Sequence, residues 1–355
     1  MSEQYFSADF FAAQSRFQKA TGEARIECLP IATKGPNGES LSIDIAWIGP
    51  RSPRSALIHS SGLHGVEGFA GSAVQLQLLD HPPVLPPDTA LVLVHILNPF
   101  GMSWLRRVNS NNVDLNRNCL EGQEYQGAPE AYGALDSLLN PKSAPSNDHF
   151  VLRAIWPILR FGMSALKQAI AGGQYDYPNG LFFGGKQLQQ EMTEYRRFLA
   201  TALTSVERVI AIDVHTGLGK RAEDTLLVDA RHYEARRRQF GDRVRPLNPE
   251  RGPAYRVRGD LQWMINGVFS RADVSFVGQE FGTYSPIQVV GALRQENRWH
   301  HYGDGTLDHP TKRHLREMFC PDDPHWRNAV LTRGRDLISQ AMTLLTQTGS
   351  DLTNS

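Results

Sequence analysis

Disulfide chemistry has little to work with in this sequence. Its 355 residues hold three cysteines, Cys28, Cys119 and Cys320, odd in number, widely spaced and without a Cys-x-x-Cys pair. A disulfide scaffold and a cysteine-cluster metal site are thereby excluded, and free thiols in a reducing compartment are expected. Long hydrophobic runs are missing too. No stretch reaches the roughly 18 uncharged apolar residues of a membrane span, and residues 1–20 mix aromatic with charged side chains where a signal peptide would carry an apolar stretch. A cytoplasmic protein with no membrane partner is expected. Nor is there an excess of one charge, with 37 basic against 37 acidic residues, so no polyelectrolyte surface awaits nucleic acid. The densest basic group, Arg231, Arg236, Arg237, Arg238, Arg243 and Arg245, is interleaved with Glu234 and Asp242 and reads as a solvated helix face. Two catalytic signatures are absent as well. Without His-Glu-x-x-His the thermolysin-type metalloprotease pattern falls away, and without Gly-x-Ser-x-Gly the pair Ser60-Ser61 is a weak candidate nucleophile.

What is present reads as alternating strands and helices. LSIDIAWIG (41–49) alternates apolar and polar residues as a half-buried strand does, while SALIHSSG (55–62) and ALVLVHILNP (90–99) are dense enough for central strands covered on both faces. The helical spacing of GVEGFAGSAVQLQLLD (65–80) between them makes a β-α-β unit with parallel pairing. ERVIAIDVHTG (207–217), TLLVDA (225–230) and ADVSFVGQEFGT (272–283) supply further strands, and helical patterns cover 150–172, 186–205, 285–298 and 323–346. The expected organisation is a helical lead-in over 1–40, one catalytic domain over 41–346 with an insertion around 120–205, and a frayed tail over 347–355. The expected fold class is α/β, a mixed and largely parallel sheet with helices on both faces.

Chemistry concentrates at strand ends. In SSGLHGVEGFAG (60–71), His64 and Glu67 are three residues apart in a glycine-rich turn, a spacing at which an imidazole and a carboxylate can close on one ion. Alone, the pair serves equally well as a turn histidine and a first-turn glutamate. A catalytic zinc takes three protein ligands, so the third must come from a distant strand end, where His215 lies. Asp213, on the same strand face, either orients His215 or is an ordinary satisfied carboxylate. Glu280 emerges from another apolar strand, where burial would raise its pKa toward a general base's range; a capping or ion-paired glutamate is the alternative. NPFGMSWLRRVNSNNVDLNRNC (98–119) brings Arg107, Asn109, Asp114, Asn116 and Arg117 close in sequence to the first pair, where the arginines and amides could clamp an anion or the stretch could be a hydrogen-bonded loop. His59, His95, His300 and His301 are taken as structural.

Together these motifs resemble the zinc carboxypeptidase superfamily, including its aspartoacylase and succinylglutamate desuccinylase branch. HGVE is similar to the family's His-x-x-Glu, NPFG to Asn-Pro-x-Gly, RVNSNNVDLNRN to Arg-x-Asn…Asp-x-Asn-Arg-Asn, DVHTG to the distant histidine and QEFGT to the general-base segment, in order from about residue 40 to 300. The resemblance implies a phosphorylase/hydrolase-like fold and one Zn²⁺ per chain held by His64, Glu67 and His215. It also implies that Glu280 is general base and acid, that Arg107 holds the oxyanion, and that Asn116 and Arg117 bind a substrate carboxylate. Arg106 competes with Arg107 for its role, and Tyr255 or Tyr284 could stand for the mobile tyrosine of the digestive enzymes. The opening helix, the insertion and WHHYG near residue 300 suit a bacterial branch better than those enzymes. The implied activity is hydrolysis, by zinc-activated water, of an amide next to a carboxylate. The substrate is a small peptide or, alternatively, an N-acyl amino acid. A catalytically inactive amino-acid or peptide-binding relative is the remaining alternative.

Overall fold

Eight strands join into one sheet in the computed structural model, which describes residues 2–22, 24–120, 125–247 and 257–346. They are β1 (Arg25–Lys34), β2 (Ser40–Ile48), β3 (Ser55–Ser61), β4 (Thr89–His95), β5 (Arg208–Gly217), β6 (Asp224–Val228), β7 (Val244–Pro246) and β8 (Asp273–Gly282). Their order across the sheet is β1-β2-β4-β3-β5-β8-β6-β7. The four central strands, β4, β3, β5 and β8, run parallel, with antiparallel pairing to β2 on one side and to β6 on the other. A mixed sheet with a parallel centre is what the dense apolar runs imply. β4 is buried at every position and β5 at all but its first, so both of their faces are covered.

The helices are α1 (Phe10–Ala20), α2 (Gly68–Asp80), α3 (Pro99–Ser103), α4 (Glu130–Leu139), α5 (Phe150–Phe161), α6 (Met163–Ala171), α7 (Gln190–Ala202), α8 (Tyr233–Phe240), α9 (Leu261–Val268), α10 (Pro286–Tyr302), α11 (Pro310–Phe319) and α12 (Pro324–Thr346). One group, α1, α2 and α12, packs together, with α2 and α12 against β3 and β5. A second group pairs α7 with α9, which reach β1 and β8 respectively. None of the described helices is long and apolar enough to cross a membrane.

Residues 25–34 depart from the helical lead-in expected over 1–40: only Ser2–Tyr5 and α1 are helical, and β1 then pairs antiparallel with β2. β1 lies at the edge of the sheet and holds Pro30, which an edge strand tolerates because one side of its backbone needs no ladder partner. The insertion holds α4, α5, α6 and α7, and the expected tail over 347–355 lies outside the described residues.

The parallel centre matters for function because it brings strand carboxyl ends to one edge. His64 follows β3, Asn98 follows β4, and His215 and Glu280 sit near the ends of β5 and β8. β5 and β8 pair in a register that sets His215 directly opposite Glu280.

Candidate metal centre

The turn after β3 is shaped by its glycines. A methyl group on Gly65 would lie 2.1 Å from the carbonyl carbon of Gly101, so only glycine lets this turn press against α3. Two backbone hydrogen bonds then tie it to the arginine segment: Gly65 N–H donates to Arg107 O at 3.0 Å and Val66 N–H to Arg106 O at 2.8 Å. Asn98 holds the other side, accepting from Gly101 N–H at 2.8 Å and donating to Arg107 O at 3.3 Å. The Asn-Pro-Phe-Gly run is thus a brace that fixes His64, Glu67 and Arg107 relative to one another.

His64, Glu67 and His215 converge, and all three are buried. His64 Nδ1 lies 3.0 Å from Glu67 Oε1, His215 Nδ1 lies 3.3 Å from Glu67 Oε2, and the two Nδ1 atoms are 3.2 Å apart. Ligands at about 2.0–2.2 Å from a tetrahedral zinc stand roughly 3.3 Å from each other, so these separations fit a tetrahedral ion. The far nitrogens fit as well. His64 Nε2 is 3.0 Å from Asp114 Oδ1, and His215 Nε2 is 2.7 Å from Asp213 Oδ2, an ion-pair contact set off the in-line direction of a hydrogen bond. A carboxylate behind each ring favours the proton on Nε2 and leaves the Nδ1 lone pair for a cation. Arg107 Nη2 also approaches His64 Nε2 at 2.8 Å, but that guanidinium already has Glu67 as an acceptor, while Asp114 Oδ1 is served by the Asn116 amide and this ring.

Electrostatics at the centre favour a bound cation. Burial acts to raise the Glu67 carboxyl, but His64 and Arg107 outweigh it and hold the group ionised. Asp114 behaves alike: burial is overcome by Arg117, His64 and Arg107, and its pKa falls well below the usual range. At His215 burial disfavours the charged ring, yet Asp213 and Glu67 lift its pKa well above normal. Glu280 goes the other way. Burial, then the charge on Glu67, push it up to about 7, while Leu218 N–H donates to its Oε1 at 2.8 Å. Glu67 itself is steadied by Thr216 N–H at 3.0 Å and Arg107 Nη1 at 2.7 Å.

The two adjacent arginines have separate fates. Arg107 lies in the centre, bonded to Glu67 and to Asp114 Oδ2 at 3.2 Å. Arg106 is wholly buried and turned away, donating to Glu296 at 2.9 Å and Asn112 at 3.0 Å, with Lys312 on the same glutamate at 2.6 Å. Asn116 lines the cavity at the centre, and its Oδ1 accepts from Leu261 N–H at 3.0 Å. Arg117 is fully buried and outside the cavity lining. It donates to Ala171 O through Nε at 3.0 Å and Nη2 at 2.6 Å, behind Phe182. Tyr284 is likewise outside the lining, donating to Glu317 at 2.5 Å, and Tyr255 lies outside the described residues. Asn109 and Asn118 brace the loop itself: Asn109 accepts from Asn111 and Val113 N–H, and Asn118 donates to Gly184 and Gln187 carbonyls.

Sequence reasoning gave no role to Asp114, the carboxylate behind His64, nor to Asp260, a half-buried carboxyl that also lines the cavity and whose pKa desolvation raises. Asp114 was visible as the first residue of Asp-Leu-Asn-Arg-Asn, where it also caps a 3₁₀ turn over Leu115–Arg117. Asp260 carried a helix-start signal, since it caps α9 through Trp263 N–H.

A family model described as a protein of unknown function, DUF2817, matches residues 6–333, and the chain belongs to that family. None of the curated proteins matches it. Among solved structures it is similar to bovine thrombin-activatable fibrinolysis inhibitor in complex with tick carboxypeptidase inhibitor, at 11% identity, 95% of this chain, 99% of that one and a TM-score of 0.43. It is also similar to carboxypeptidase A from Helicoverpa armigera, at 12% identity, 91% of this chain, 72% of that one and a TM-score of 0.42. A third is a succinylglutamate desuccinylase from Silicibacter sp., at 14% identity, 80% of this chain, 68% of that one and a TM-score of 0.38. At identities this low, chemistry has to be read from the centre itself.

Proposed function

We propose that this member of the DUF2817 family is a zinc-dependent hydrolase that cleaves an amide bond next to a carboxylate-bearing residue, with His64, Glu67 and His215 holding one ion. The observation that carries the reading is the set of separations, 3.0, 3.2 and 3.3 Å, among two carboxylate-backed imidazoles and a glutamate, with Glu280 in register beside them. Bound there, zinc would act as a Lewis acid and lower the pKa of water from near 16 to about 7.

The protein's own groups do the rest. Glu280, poised near 7, takes a proton from the attacking water and returns it to the leaving nitrogen. Arg107 donates to Glu67 and Asp114 in the resting centre and exchanges these carboxylates for the substrate oxygen as negative charge develops there. Asn116 faces the substrate's carboxylate, and the buried charge of Arg117 lies behind it. No covalent intermediate is required. The three cysteines, none of them in a disulfide, suit a cytoplasmic setting.

The test is metal content of the purified protein together with hydrolysis of a panel of short peptides and N-acyl amino acids. About one zinc per chain and turnover of either class support the reading. Failure to take up zinc by a folded protein supplied with it rejects the reading, as does zinc uptake with no turnover of any member; both outcomes favour an inactive binding relative.

A further inference from the structure

The cavity that opens on the metal centre continues into a chamber walled by hydrocarbon, and this part belongs to no feature of the centre. Its walls come from α4, α5, α6 and α10, represented by Leu135, Leu139, Ile158, Leu166, Ile170 and Val290. None of these six side chains carries a hydrogen-bond donor or acceptor. The polar lining lies instead at the strand ends, with His64, Glu67, His215 and Glu280, in the loop that carries Arg107 and Asn116, and at the start of α9 with Asp260 and Gln262. A peptide threaded along the chamber would place an N–H and a C=O per residue against walls that offer no side-chain partner, and each such group costs free energy when buried alone. A hydrocarbon chain makes no such demand and gains from every methylene it buries.

We infer that the substrate is an N-acyl amino acid with a long, unbranched acyl chain that lies in this chamber while its amide meets the metal centre. This deepens the hydrolase reading and rests on it for the position of the amide. On its other side, outside the chamber, α5 leaves Leu152, Trp156 and Leu159 66%, 62% and 79% exposed.

The first experiment measures binding of straight-chain carboxylic acids, from acetate to dodecanoate, to the full-length protein by calorimetry, with no turnover required. Affinity rising by about fourfold per added methylene until the chamber is full is expected. Ile158→Trp and Val290→Trp, each filling the chamber from a different helix, should weaken dodecanoate at least tenfold. Leu159→Glu on the outer side of α5 should leave it unchanged. Affinity independent of chain length, or equal weakening by all three variants, overturns the inference. The second experiment compares zinc-supplied hydrolysis of N-acetyl to N-dodecanoyl derivatives of one amino acid against short peptides. Preference for the long acyl chain supports the inference, and preference for acetyl or for peptides overturns it. Chain-length-dependent binding with no hydrolysis of any compound would leave the chamber assignment standing and reject the hydrolase reading alone.

Discussion

The cavity of this protein is ionic at one end and hydrocarbon at the other, and different physics holds each end. At the sheet end, Glu67, Asp114, Asp213 and Glu280 face His64, His215 and Arg107 within a network whose contacts mostly lie between 2.7 and 3.3 Å. Directional bonds of this kind fix atoms to fractions of an ångström, which chemistry at an ion demands. At the other end the helices of the insertion present aliphatic side chains, whose contacts are numerous and non-directional. Such a wall selects by volume and polarity. Positional precision belongs to strand ends and tolerance to inserted helices.

The largest effect should come from the ionic end. Glu280→Gln keeps the shape and removes the proton carrier, so turnover should drop by about 10²–10⁴ with zinc content unchanged, read by steady-state kinetics alongside elemental analysis. Loss of zinc in that variant would make Glu280 a ligand and break the division of roles.

The two neighbouring arginines sharpen the contrast between chemistry and scaffold. Arg107→Ala should lower kcat of the zinc-loaded protein by about 10²–10³, read by steady-state kinetics. Arg106→Ala takes one of two cations from buried Glu296, which keeps Lys312, and leaves Asn112 and Asn297 short of a donor, so it should cost about 1–3 kcal/mol of stability in a denaturant titration. An exchange of these two outcomes would reassign the arginines. Smaller again is the effect of the carboxylates behind the imidazoles: Asp114→Asn and Asp213→Asn should weaken zinc by about 10–100-fold, measured by competition with a chelator.

Acid should loosen the sheet beneath the ionic end. Burial depresses His59 to about 4 and His95 to about 3, where their neighbours are Gln75 and Ser72. Both values lie below the unfolded one, so below about pH 6.5 the unfolded chain binds protons that the folded core refuses. Stability is present above that pH and falls as pH drops toward 4, by about 1.4 kcal/mol per pH unit for each histidine. Urea midpoints of the metal-free protein between pH 7.5 and 4.5 read this, and a flat profile would contradict it.

Legibility in the sequence divides along the same line. The strands β2, β3, β4, β5 and β8 were readable because alternation or dense β-branched runs mark them, and His64, Glu67 and His215 because each sits in a short motif at a strand end. β1 escaped because Pro30 interrupts its pattern, and β7 because three residues carry no periodicity. The role of Arg106 depends on Glu296 and Lys312, some 190 and 206 residues away, a separation at which the local pattern is silent. The chamber was invisible for the same reason. Leu135, Ile158 and Val290 are ordinary apolar residues of amphipathic helices, and only packing shows that they surround space.

Elemental analysis of the zinc-supplied wild type, His64→Ala and His215→Ala decides whether these residues hold an ion. About one zinc per wild-type chain and loss of zinc in both folded variants is the predicted result. A folded wild type that holds none, or variants that keep it, would mean that His64 and His215 are not metal ligands.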